Sequence, residues 1–260
     1  MKHARIMYTD RMCLIVFEWA PGTDHWLRLS ANRDEFYPRP TRPLQQWPEI
    51  PGLWAGKDLE QGGTWLGVTE QGRWAALTNV RAPGVGPANP KSRGELVLNY
   101  LTSAQDPQSW LNEINPEHYA PFNLLVGTPD TLCYLGSYPE IVRQTLPAGR
   151  YSLSNAQLNS PWPKAILALE QLADAPHDAP LAGLLKRREP WPDDDLPETG
   201  VPMLWERLLS AQFIRAPGYG TRCSTGLNAY ASHIELQEIT WNEAGEASER
   251  NEERIEIKDR

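Results

Sequence analysis

The first eighty residues of this chain are written in short apolar runs separated by turn residues, and no other feature restricts its fold as strongly. Residues 14–19 and 26–31 flank Pro21-Gly22-Thr23-Asp24, and residues 65–69 and 74–78 flank Gln71-Gly72, so two hairpins are predicted. Helical spacing follows over residues 93–103, with Leu96, Val97, Tyr100 and Leu101 apolar, and Asp106-Pro107 reads as an N-cap with Pro at the first helical position. Strand patterns return at 123–127, 131–135 and 151–154. A helix is predicted over 163–173, a short helix and surface loop over 177–202, and strands near 221–227, 234–241 and 254–258. Strands, then helices, then strands, twice over, is an α+β order without the regular βα alternation of a doubly wound sheet.

Several function classes fall away. The balance of 25 basic against 33 acidic residues, a net charge of −8, gives no phosphate-tracking surface, so nucleic acid is not expected as a partner. No apolar run approaches the roughly 20 residues of a membrane helix, and the run after Met12 lacks the length and cleavage site of an export signal. Cys13, Cys133 and Cys223 are too few and too far apart for a metal cluster, and their odd number argues against a disulfide framework. The five histidines form no HxH or HxxxH pair, so no metal is expected, and a reducing cytoplasm is the simplest compartment. GxGxxG after a strand, GxxxxGK[ST] and GxSxG are absent. The acidic triplet Asp193-Asp194-Asp195 reads as solvated. Among the eleven tryptophans, Trp47, Trp54, Trp65, Trp74 and Trp162 lie near Pro or Gly, as residues that pack loops or wall a cleft do.

The pair Met12-Cys13 at the head of the first strand carries the chemistry. If translation begins at Met12 and that residue is removed, Cys13 holds a thiol and a free α-amine, and an amine of pKa about 8 can take the thiol proton. Asp34 could hold that amine, Arg33 or Arg222 could lower the thiol pKa, and the amides of Asn79 and Asn155 could donate to an oxyanion. Each has a plainer role open to it. Cys13 can be a small buried hydrophobe, Arg33 and Asp34 a structural ion pair, Asn79 and Asn155 turn residues, and Arg222 a stitch between strands. Arg33 and Asp34 are adjacent, so their side chains should leave a strand on opposite faces.

Around Cys13 stand Ala31-Asn32-Arg33-Asp34-Glu35-Phe36, Gly62-Gly63-Thr64-Trp65-Leu66-Gly67 and Ala76-Leu77-Thr78-Asn79. Ser92-Arg93-Gly94-Glu95-Leu96, Pro121-Phe122-Asn123, Ser154-Asn155-Ala156 with Pro161-Trp162-Pro163-Lys164, and Tyr219-Gly220-Thr221-Arg222 follow. In this order they resemble the NRDE family, which includes the transport and Golgi organisation proteins, from Met12 to the C-terminal strands. That family is in turn similar to the N-terminal nucleophile hydrolases of the choloylglycine hydrolase and penicillin acylase group. The resemblance implies a four-layer αββα sandwich with the nucleophile at the first residue of a central strand. Residues 1–11 are then an extension or a start assigned too early, and 12–260 one domain. Implied catalytic residues are Cys13, Asp34, Asn79, Asn155 and Arg222, with Asn32, Arg33, Trp65 and Arg81 toward the ligand. The implied activity is cysteine-nucleophile hydrolysis or acyl transfer on a small amide or thioester, with no cofactor required. The alternative is a non-catalytic protein that binds or traffics haem, acyl-CoA or lipid.

Overall fold

The computed structural model describes residues 13–258. Residues 1–11, expected to be an extension or a start assigned too early, fall outside the described residues. Among the described residues, fourteen strands form two antiparallel sheets. The first sheet contains β1 (Cys13–Trp19), β2 (His25–Phe36), β10 (Gly149–Leu153), β11 (Arg215–Ala216), β12 (Tyr219–Tyr230), β13 (His233–Trp241) and β14 (Ala247–Glu256). Its order is β10-β1-β2-β12-β13-β14, with β11 paired to β12. The second is a meander in sequence order: β3 (Thr41–Gln46), β4 (Leu53–Asp58), β5 (Leu66–Thr69), β6 (Trp74–Asn79), β7 (Phe122–Gly127), β8 (Leu132–Gly136) and β9 (Val142–Thr145).

Alternation along the strands assigns each face. Ile15, Phe17 and Trp19 of β1 and Leu27, Leu29 and Ala31 of β2 meet Leu66, Val68, Trp74, Ala76 and Leu125 of the second sheet in one apolar layer. Leu14 and Val16 point the other way, onto Ala165, Ala168 and Leu172 of helix α3 (Pro163–Asp174). On the outer face of the second sheet, Ala75, Leu77, Leu124 and Val126 pack against Leu96, Val97 and Tyr100 of α1 (Gly94–Leu101) and Trp110 and Leu111 of α2 (Pro107–Asn112). The last helix, α4 (Met203–Ser210), buries Leu209 against Ile214 and Tyr219.

Both predicted hairpins form, and the helices expected over 93–103 and 163–173 are α1 and α3. Asp106 caps α2 as its sequence indicates, accepting from the Ser109 amide at 2.9 Å. The sequence reading omitted β3, β4, β9 and α4, and placed the final strand at 254–258 rather than at β14. Of the tryptophans named as wall candidates, Trp47 and Trp74 are core residues.

Phe17 is fully buried between the sheets, stacked on Tyr151 and edge-on to Trp74. Phe17→Ala should cost about 3–5 kcal/mol in urea unfolding; a loss below about 1 kcal/mol would mean that this layer is not packed as described.

Candidate active site

The strand directions bring distant segments to one end of the sandwich. In the antiparallel first sheet, the beginnings of β1 and β12 lie beside the ends of β2 and β10. Cys13 therefore sits opposite Arg33, and Thr221 opposite Asp34. The end of β6 closes in from the second sheet, where the Thr78 hydroxyl donates to the Ser154 carbonyl at 2.6 Å and the Arg81 amide to the Asn155 carbonyl at 2.7 Å.

A cleft of about 840 Å³ opens over this end. Cys13, Arg33, Asp34 and Asn79 line it, with Trp65 on one wall and the Pro- and Gly-rich residues 84–90 on another. Cys13 is 9 % exposed. Two close approaches shape this wall. A Cβ on Gly56 would fall 2.3 Å from the Trp65 ring, and one on Gly63 would fall 2.5 Å from the Gly94 carbonyl carbon at the start of α1, so both positions require glycine. The Arg33 guanidinium then lies over the Trp65 ring, 4.2 Å from its centroid.

Arg33 is the charged neighbour of the thiol on the cleft face. It is 6 % exposed; its Nη2 is 3.4 Å from Glu35, while its buried Nη1 has no hydrogen-bond partner among the described residues. Glu35 also lies 3.6 Å from Arg39, whose other partners are Asp58 at 2.6 Å and Glu60 at 3.0 Å. Burial pushes the Cys13 thiol up to about 12, the Asp34 charge adds to the rise, and Arg33 and the Asp34 backbone N–H oppose it. The thiol is therefore protonated at neutral pH until a base takes its proton.

Asp34 leaves β2 on the opposite face from Arg33, as their adjacency predicts. Its Oδ1 accepts from the Thr221 hydroxyl at 2.6 Å, and its buried Oδ2 has no hydrogen-bond partner among the described residues. Burial raises its carboxyl, against the lowering influence of Lys164, the Thr221 hydrogen bond and Arg33. The register carries Asp34 one position past the start of β1.

Asn155 is bonded to the nitrogen of Cys13. Its Oδ1 accepts from the Cys13 amide at 3.4 Å and from the Ser154 hydroxyl at 3.2 Å, while its Nδ2 donates to the Asn79 carbonyl at 2.9 Å. That last bond uses one of the two Nδ2 protons. Ser154 also donates to the Cys13 carbonyl at 3.1 Å, so both backbone polar groups of residue 13 have partners at the end of β10.

Three residues expected at the site are placed elsewhere. Arg222 is the extra residue of a bulge between Thr221 and Cys223, and its Nη1 donates to the carbonyls of Phe36, Tyr37 and Arg39 at 3.0, 2.9 and 3.3 Å. It ties down the turn after β2. Arg81 is buried against Glu206 and over the Trp162 ring, in a separate small crevice. Asn32 faces the helical side, donating to the Leu185 and Gln212 carbonyls at 2.8 Å each and accepting from Ser224 at 2.6 Å. Conversely, Lys164, Ser154 and Thr221 stood in the quoted motifs without an assigned role. Lys164 was detectable, because the spacing that turns Ala168 and Leu172 inward turns residue 164 inward too.

In protein that retains residue 12, iodoacetamide alkylation of Cys13 should climb about tenfold per pH unit from about pH 7 to about pH 10, followed by peptide mass. A rate that levels off near pH 8 would mean that the thiol ionises as it does in free cysteine.

Residues 12–243 match the family model described as Transport and Golgi organisation 2. The Transport and Golgi organization protein 2 homolog of Bos taurus is 36 % identical over 241 residues, covering 82 % of this chain and 87 % of the relative. The Homo sapiens homolog is 35 % identical with the same coverage, and the Drosophila melanogaster protein 28 % identical over 81 % of this chain and 85 % of the relative. Among solved structures, penicillin V acylase from Agrobacterium tumefaciens aligns over 94 % of this chain and 86 % of that one, at 9 % identity and a TM-score of 0.41, a likeness too distant to carry fold or chemistry. With a family model spanning nearly its whole length and relatives above a third identical, the chain belongs to the Transport and Golgi organisation 2 family.

Proposed function

We propose that Cys13 is the nucleophile of a hydrolase or acyltransferase acting on a small amide or thioester, in a single domain, residues 12–260, layered as in the N-terminal nucleophile hydrolases. The observation that carries this reading is the meeting, at the floor of an 840 Å³ cleft, of a strand-initial thiol and a buried guanidinium nitrogen with no hydrogen-bond partner among the described residues.

In this mechanism the chain begins at Cys13. The α-amine, held by the Asn155 side-chain oxygen Oδ1 and the Asp34 carboxylate, takes the thiol proton, and Arg33 steadies the resulting thiolate. The thiolate attacks the acyl carbon to form a C–S bond. Charge on the acyl oxygen is met by Arg33 and Asn79, a plainer source of donors than Asn155. The ammonium returns its proton to the leaving amine or thiol as that bond breaks. Water, or an acceptor nucleophile, gives a proton to the amine and releases the acyl group from sulfur.

A second reading, non-catalytic binding of haem, acyl-CoA or lipid, draws support from the cleft's size and its apolar residues Phe36, Leu77, Val80 and Val85. For haem, Cys13 is a described cleft residue whose sulfur could hold the iron, and Arg33 is a cleft cation that could meet a propionate. No resident cofactor is required by the first reading, and a cytoplasmic site of action suits both.

Protein made from its own gene should have the mass of a chain beginning at Cys13; full activity in a chain that keeps residues 1–12 would sink the amine mechanism. Cys13→Ala should abolish turnover of an acyl thioester and leave the melting temperature within about 2 °C of wild type. Unchanged ligand affinity with no wild-type turnover of any amide or thioester would favour the binding reading, and a Soret shift on haem titration would identify that ligand.

A further inference from the structure

We propose that the outer edge of β14 is a dimer interface, at which β14 pairs antiparallel with β14 of a second copy about a dyad through Glu253. The strands β2, β12 and β13 lie between β14 and β1, so the interface stands apart from the cleft and from the chemistry at Cys13.

Strand β14 ends the first sheet, paired with β13 on one side and, among the described residues, with no strand on the other. Its ladder fixes which backbone groups are left over. The Ile257 amide donates to the Ser232 carbonyl at 2.9 Å, one step beyond the pair of His233 with Glu256. Opposed residues in antiparallel strands alternate between exchanging both backbone bonds and exchanging none. Residues 251, 253 and 255 therefore turn their backbone groups to β13, and Arg250, Glu252, Arg254 and Glu256 turn theirs outward. The open edge stops at Lys258, whose amide donates to the Glu70 carbonyl at 2.8 Å.

The side chains of the same four residues select the partner. All four are exposed, and since Ile255 faces the core, they project from the other face of the strand. Along β14 their signs run plus, minus, plus, minus, so an identical strand running the other way presents the complementary order. A dyad at Glu253 sets Arg250 opposite Glu256 and Glu252 opposite Arg254, each twice by symmetry, at positions where the two copies exchange backbone bonds. Other registers fail. A dyad at Glu252 opposes Arg250 to Arg254, one at Arg254 opposes Glu252 to Glu256, and one at Asn251 opposes Glu249 to Glu253. A dyad at Ile255 would need the Lys258 backbone that Glu70 holds. Against the chosen register stands the meeting of Glu253 with its own copy, outnumbered by the opposite-charge pairs. Arg250 and Glu252 make no ion pair among the described residues, while Arg254 has Glu235 at 3.3 Å and Glu256 at 3.1 Å. Charges on an edge discourage pairing with strands at large; alternating signs admit the partner whose order matches. A narrow, polar strip of this kind gives a weak dimer that salt loosens, and its dyad closes the assembly at two copies.

Sedimentation equilibrium of the full chain tests this. Between roughly 1 and 300 µM the weight-average mass should rise toward twice the monomer value, and raising salt from about 0.05 to about 0.5 M should weaken association at least about threefold. A monomer throughout, or association that continues past two copies, overturns the proposal. Glu252→Pro removes an outward amide and leaves the ladder with β13 intact, so it should abolish the dimer; a dimer that persists uses another face and overturns the proposal. Glu252→Arg and Arg254→Glu should each be monomeric alone and should form a mixed dimer when combined, because opposite signs then meet again. Folded variants that do not associate on mixing overturn the register. If Arg254→Glu unfolds through its contacts with Glu235 and Glu256, Arg250→Glu mixed with Glu256→Arg makes the same exchange at the other pair. None of these measurements requires turnover, so their outcome is separate from that of the nucleophile reading.

Discussion

The register of β1 between β2 and β10 is the constraint on which the site depends. Leu14 and Val16 require the helical side, and Ile15, Phe17 and Trp19 the space between the sheets. A slip of one residue would turn every one of these side chains to the wrong layer. The same alternation turns Cys13 toward the cleft, opposite Arg33, and places Asp34 past the strand's first residue. Apolar packing deep in the sandwich thereby fixes the direction of a polar group at its end.

That end is where the sandwich stops being apolar. Arg33, Glu35, Arg39 and Asp58 are all buried in a chain of contacts, and burial of such groups is tolerable only when they answer one another. Among the described residues, two side-chain atoms of the β2 end that meets Cys13 make no hydrogen bond: Nη1 of Arg33 and Oδ2 of Asp34, one on each face of the strand. Buried polar groups usually find partners, and these two are places where the described residues leave that rule unmet.

Central strands and the longer helices were legible because they bury apolar residues with a period of two or between three and four. The strands that were missed or misplaced are mostly sheet edges. β3 and β9 bound one sheet and β14 the other, and Thr41–Gln46 with its Pro43 and Ala247–Glu256 with its run of charges show little alternation. Such composition protects an edge from further pairing and hides the strand from a reading based on hydrophobicity. At the site, Cys13, Asp34 and Asn155 were placed together by motif order, and the opposite directions of Arg33 and Asp34 followed from their adjacency. Arg222 was misplaced because a bulge re-aims its side chain, and a bulge depends on pairing that one strand's sequence does not display. Arg81 and Asn32 were drawn away by partners more than a hundred residues distant, Glu206 and Gln212.

The strand order also bears on how the molecule is assembled. The second sheet pairs its strands in sequence order, mostly through short connections, whereas the first gathers strands from distant parts of the sequence around it. The bond from Thr221 to Asp34 spans 187 positions. Closing a loop of that length carries a larger entropic cost than zipping a hairpin, and contacts of such separation tend to form late. On a ribosome, β1 and β2 emerge well before β12, and the pocket around the thiol has no far wall until that strand is made. Until then the cysteine and its acidic neighbour stand at an unfinished sheet edge, and any chemistry that requires their final arrangement waits for β12.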